Sequence, residues 1–290
     1  MPASKCPSAR AAAFVGNYSI EATRPSAADM EAVAAHSGTG RSLYLSAVPA
    51  QSLGDLASVA AQVRRAGLEP VVHVPARRFT SKAELIEILA RLRGEADVRR
   101  LLMLAGEFDP PGPFADALAA IRDGGLRDAG IEEIGITGYP EGHPRIGNAQ
   151  LAAAMADKIA AAREQGLRLH IVTQFTFSAG PIAAWLRNLR AGGIDLPVRI
   201  GLAGPTSLTA LLRYAKRCGV NASMRGLASG AAASLIGHIG PETIIDELSA
   251  ESAELGEIAV HYFSFGGIAD TARYAQKQAA RLAVESKAVL

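Results

Sequence analysis

Apolar and polar positions alternate between two periods along nearly the whole chain. Short apolar or β-branched runs over Phe14–Ile20, Ser42–Leu45, Pro70–Val74, Leu101–Leu104, Glu133–Thr137, Leu169–Thr173, Pro197–Leu202 and Ile258–Phe263 predict strands. Stretches with apolar residues at helical spacing lie between them: Ala28–Ala35, Leu53–Arg65, Lys82–Arg93, Phe114–Ile121, Ala149–Glu164, Ala179–Leu189, Leu208–Lys216 and Thr271–Val284. Strand ends recur at roughly 26–36 residues, about one βαβ crossover each, and the last interval is about double. Ala231–Ile236 and Pro241–Glu254 are helical in pattern too, so extra helices are expected between strands seven and eight. Such repeats without a linker or a composition shift predict one (β/α)8 TIM barrel over 13–290, behind a frayed N-terminus over 1–12. An open doubly wound sheet would usually carry a Gly-rich dinucleotide turn after its first strand. Here that strand runs into Glu21-Ala22-Thr23-Arg24-Pro25, and Gly38-Thr39-Gly40 is too short a match that precedes a strand.

Composition narrows the class. With 49% hydrophobic and 20% charged residues, the 290-residue chain is not intrinsically disordered. Thirty Lys and Arg against 28 Asp and Glu leave a net charge of +2, so no whole-protein field recruits nucleic acid or an anionic membrane. Cys6 and Cys218, the only cysteines, exclude a disulfide framework and a four-thiolate zinc site. The longest uncharged stretches, within Leu169–Leu186 and Gly226–Pro241, fall short of the roughly 20 residues of a spanning helix. Lys5 and Arg10 are followed by no apolar signal core, and a cytoplasmic setting is expected.

In a parallel barrel, chemistry sits where strands end and βα loops begin. Those positions hold Glu21, Ser46, His73, Gly106 with Glu107, Tyr139 with His143, Gln174, Gly204, and Ser264 with Gly266. Two carboxylic acids, two imidazoles, a phenol and an amide make an acid/base and hydrogen-bonding set. No two histidines have close metal-ligand spacing, so no metal is demanded. Glu21 suits a catalytic acid, with a structural salt bridge as the alternative. Glu107 suits ligand contact or a loop cap, and His73 a ligand contact or a core histidine bonded to backbone. An inward Gln174 needs partners and suits ligand binding. Arg77 and Arg78 follow a strand end, as phosphate contacts or as exposed loop cations.

Two segments carry a family resemblance: Gly138-Tyr139-Pro140-Glu141-Gly142-His143-Pro144 and Val172-Thr173-Gln174-Phe175-Thr176-Phe177. They resemble the Tyr-Pro-Glu-x-His-Pro and Thr-Gln-aromatic stretches that end strands five and six of methylenetetrahydrofolate reductases, flavin-containing (β/α)8 barrels. Gly192-Gly193-Ile194-Asp195-Leu196-Pro197 before strand seven fits as well, and the likeness runs from about Tyr18 to the last helix. The resemblance implies hydride transfer between methylene- and methyltetrahydrofolate in one-carbon metabolism, with FAD as the flavin and NAD(P)H as co-substrate. It implies Glu21, in Tyr18-Ser19-Ile20-Glu21, as general acid, and Glu107 and Gln174 as substrate contacts. His73, Gly106, Tyr139 and His143 fall on flavin-contacting positions, and Ser46 where the family has a threonine near the nicotinamide. The partner is then a small-molecule folate, with a homo-oligomer allowed.

Four places depart from the family. Ala105-Gly106-Glu107 stands for Arg-Gly-Asp, Ala47-Val48-Pro49 for a tyrosine-glycine, the stretch around Lys158 is shifted, and Gly267 replaces an arginine. Each lost charged hydrogen bond weakens ligand binding by roughly 1.5–3 kcal/mol. Arg77, Arg78 or Arg145 are the candidates to compensate. Three alternatives follow: a flavin-independent, nicotinamide-linked folate reductase; a phosphosugar lyase or isomerase using Gly201-Leu202-Ala203-Gly204 and Phe265-Gly266-Gly267; and a non-catalytic folate-binding barrel. No lysine ends a strand to form a Schiff base, which weighs against the lyase.

Overall fold

The structure is a computed structural model that describes residues 7–48, 51–109, 111–218 and 238–288. Eight parallel strands close into a barrel: β1 (Ser19–Ala22), β2 (Ser42–Leu45), β3 (Glu69–Pro75), β4 (Arg100–Leu104), β5 (Glu133–Gly138), β6 (Arg168–Thr173), β7 (Val198–Ala203) and β10 (Ile258–Phe263). Strands β8 (Thr206–Ser207) and β9 (His238–Ile239) form a separate two-stranded sheet. Helices alternate with the strands; Leu208–Cys218 follows β7, and Glu242–Glu251 is an extra helix before β10. The helix expected over 231–236, together with Cys6 and Pro49, lies outside the described residues.

The chain divides into two compact units, one of Met1–Ile20, Tyr139–Gly147 and Val172–Leu290, the other of Glu21–Gly138 and Asn148–Ile171. In the second, β2, β3 and β4 run side by side, Ser42 opposite Glu69 and Val71 opposite Arg100. Their centres, from Leu43 to Leu45 and from Val71 to Val74, are buried on both faces, as strands covered by helices require. Helix starts are written locally. Ser26 and Ser52 each accept from the amide three residues on, and Asp29 and Asp55 answer back to the cap amide.

In the first unit, β10 pairs with β7, Ile258 opposite Val198. Two expectations are corrected here. Residues 7–12, expected to fray, open a helix, Pro7–Gly16, packed against the helices Glu242–Glu251 and Ile268–Ala288. Phe14 and Val15, expected in the first strand, belong to that helix and are fully buried, so the strand begins only at Ser19. An unbroken apolar run has no periodicity with which to tell the two apart. No helix among the described residues is long and apolar enough to cross a membrane.

Candidate active site

Glu21 is the third residue of β1, between buried Ile20 and Ala22, and its side chain is 16% exposed. The Ser46 amide donates to Ala22 at 3.1 Å, which brings the residue after β2 alongside β1. From there the Ser46 hydroxyl donates to Oε1 of Glu21 at 2.7 Å. His73, near the C-terminal end of β3 and 8% exposed, puts Nε2 3.4 Å from the other carboxylate oxygen. Three of the residues read from the sequence therefore converge: a largely desolvated carboxyl, a hydroxyl that orients it and an imidazole beside it. The imidazole makes no hydrogen bond to the carboxyl but stands near enough for a proton to pass between them on a small shift, which suits a general acid.

The other candidates of this unit are placed differently. Gly106 adopts φ +84°, and a Cβ there would stand 3.0 Å from Cβ of Pro75. Its small size is therefore required by the turn itself. Glu107 is exposed. Arg78 donates to the carbonyls of Val48 and Gln51 and lies over the Phe108 ring, so it staples loops. Burial lowers its pKa, with Glu84 pulling the other way. Arg77 stands 3.9 Å from the exposed Asp109.

In the first unit, Tyr139 and His143 meet edge to face at 5.2 Å. Burial, then the charge of Arg145, lowers the His143 pKa, and its Nδ1 accepts from the Arg145 amide at 3.2 Å. With Nδ1 accepting, the proton of the neutral ring sits on Nε2. Oε1 of Gln174 accepts from the Phe175 amide at 3.1 Å, which turns its NH2 into the donor end. Gly204 and Gly266 approach backbone or side chains too closely for a Cβ, Gly266 against the Pro205 carbonyl and Gly204 against Thr271.

A buried polar chain in the second unit has no counterpart among the residues singled out above. The Tyr44 hydroxyl is 2.8 Å from Nε2 of His170, and Nδ1 of His170 is 2.8 Å from Glu133. Tyr44 and His170 are 0% and 3% exposed, and Gly135 leaves room for the imidazole, since a Cβ there would lie 2.7 Å from its Nε2. Polar residues inside strands carry no motif, and only the period-2 register with buried neighbours could have singled them out. A second buried pair, Ser19 with His261 at 2.9 Å, occupies the first unit, with Arg199 donating to Ser19. Among the described residues, no group of three or more His, Cys, Asp or Glu could hold a metal ion.

Burial works to raise the Glu133 carboxyl, but His170, with Arg100 and Arg168, outweighs it and holds the pKa below the ordinary 4.5. A carboxyl depressed in the folded state adds stability that is complete above the unfolded value and is lost as pH falls through the folded one. The urea midpoint of the wild type should therefore drop more between about pH 5.5 and about pH 3 than that of Glu133→Gln. Equal drops would show that the carboxylate contributes nothing to acid sensitivity.

Among solved structures, the chain is similar to the 3-dehydroquinate dehydratase of Aquifex aeolicus VF5, with a TM-score of 0.49 and 10% identity over 91% of this chain and 97% of that one. No family model matches the sequence.

Proposed function

We propose that the protein is an oxidoreductase interconverting methylene- and methyltetrahydrofolate by hydride transfer, with Glu21 as the proton donor. The observation that carries this reading is the Glu21 carboxyl itself, 16% exposed, accepting from Ser46 at 2.7 Å and 3.4 Å from His73. Methylenetetrahydrofolate holds its one-carbon unit as a bridge between two nitrogens. A proton delivered to the departing nitrogen breaks one C–N bond and leaves an iminium on the other. A hydride then reduces that carbon to a methyl group. Glu21 gives the proton, Ser46 fixes the direction of its carboxyl, and His73 returns a proton to it. Glu107 and Gln174 are the proposed substrate contacts, and Tyr139 and His143 cofactor contacts, as the resemblance implies. A cytoplasmic setting suits such a reaction.

The polar side chains that the resemblance sets near a flavin ring in the Glu21–Gly138 stretch are already engaged. Arg78 is spent on loop carbonyls, Glu107 adds an exposed carboxylate, and Ser46 and His73 are already engaged with Glu21. This favours a second form of the same reading, in which a reduced nicotinamide gives its hydride to the iminium directly. Purified protein, assayed for methyltetrahydrofolate formation with NADH and with NADPH, is expected to turn over while showing no visible flavin absorption. Stoichiometric FAD would remove the direct form. Absence of folate turnover with either donor, with or without added FAD, would overturn the function.

A further inference from the structure

We infer that Tyr44, His170 and Glu133 are positioning residues for His73 and, through it, for Glu21. For turnover this rests on the folate reading; for the geometry of the imidazole it does not. Glu133 is a carboxylate and can only accept; Nδ1 of His170 lies 2.8 Å from it, off the line of a regular hydrogen bond, and the negative charge beside it favours the proton on Nδ1. Nε2 of His170 is then an acceptor, and the Tyr44 hydroxyl must donate to it across 2.8 Å. With its hydroxyl fixed, the fully buried Tyr44 ring stands edge-on to His170 at 6.2 Å and edge-on to His73 at 6.3 Å. His73 is thereby wedged between that ring and the Glu21 carboxylate 3.4 Å away. Tyr44 also lies two residues before Ser46, so one strand positions both groups that act on Glu21.

Stability alone does not account for the chain of contacts. Aliphatic layers ordinarily fill a barrel interior, and a buried ionic or hydrogen-bonded group is seldom more stabilising than its apolar replacement. What the chain supplies is a single orientation of His73. Without it the imidazole can tilt away from Glu21, and the dyad loses the approach across which a proton would pass.

The test uses imidazole nitrogen NMR and turnover on the full chain. In the wild type, His170 should show its proton on Nδ1; a proton on Nε2 would overturn the proposal without any variant. In Tyr44→Phe and in Glu133→Gln, the His73 nitrogen resonances should move, and kcat with methylenetetrahydrofolate should fall by roughly 5- to 50-fold with KM nearly unchanged. Should Tyr44→Phe not fold, Glu133→Gln, at the chain's less buried end, decides alone. His73 resonances that stay in place while those of His170 shift would sink the idea. Moved His73 resonances in a protein without folate turnover would keep the positioning role and remove the folate reading.

Discussion

Glu21→Gln is expected to lower folate turnover by roughly 10²- to 10⁴-fold, the usual worth of a general acid. The substitution is close to isosteric. A glutamine oxygen still accepts from Ser46, and its NH2 can still face His73, so neither the local fold nor ligand binding has reason to change. What disappears is the proton. The loss should therefore fall on kcat, with KM within about twofold, as it does when an interaction made only in the transition state is removed. Glu21→Asp keeps the acid but withdraws it by one methylene from Ser46 and His73, and should land between the two. Rapid-quench measurement of methyltetrahydrofolate formation reads the step directly. If Glu21→Gln retains wild-type kcat, the proton comes from elsewhere, and the carboxylate beside His73 is a structural ion pair.

How far the sequence foretold this site follows from where each residue sits. Glu21, Ser46 and His73 were legible because polar residues at the ends of otherwise apolar strands are costly unless used. Their pairing was not legible: the bond from Ser46 to Glu21 depends on the register between the segments after β2 and in β1. The barrel was legible in the repeating alternation, and β2 and β10 match their expected bounds to the residue. The N-terminal helix was not, because Ala11-Ala12-Ala13-Phe14-Val15 is apolar at every step and only tertiary packing decides its form. His170 and Glu133 were invisible for a related reason. His170 is a polar residue inside β6 and Glu133, next to Glu132, opens β5, and polar residues at such places ordinarily face solvent. Only the closed sheet turns the His170 side chain toward Tyr44. Of the two readings of Arg78, phosphate contact or loop cation, the sequence could not choose, and the carbonyls of Val48 and Gln51 take it as a loop cation.

Phe175→Ala should cost about 3–5 kcal/mol of stability, the range for a buried aromatic truncated to Ala. Phe175 is fully buried in the first unit, directly after Gln174. Its ring meets Phe177, Phe263 and Phe265 at centroid distances of 5.6, 5.4 and 5.0 Å, each edge to face. Phe265 in turn stacks on Phe263 at 5.5 Å and on Tyr214 at 4.1 Å. The four partners are themselves only partly buried, so Phe175 is the ring on which the cluster closes. Truncating it removes the transfer energy of the ring and leaves its neighbours without contacts on one side. Phe177→Ala, at the half-buried edge, should cost clearly less, and Phe175→Leu should recover part of the loss. Urea unfolding followed by circular dichroism measures all three, with an unchanged m-value marking a loss in the folded state. A second effect separates packing from function. The Phe175 amide donates to Gln174 at 3.1 Å, so backbone loosened by the cavity frees the amide side chain proposed to hold the pterin. KM for the folate should therefore rise in Phe175→Ala at temperatures where the protein is still folded, whereas kcat at saturation should hold. A Phe175→Ala protein as stable as wild type would mean that the five rings do not pack as one cluster, and the support of Gln174 would have to come from the strand alone.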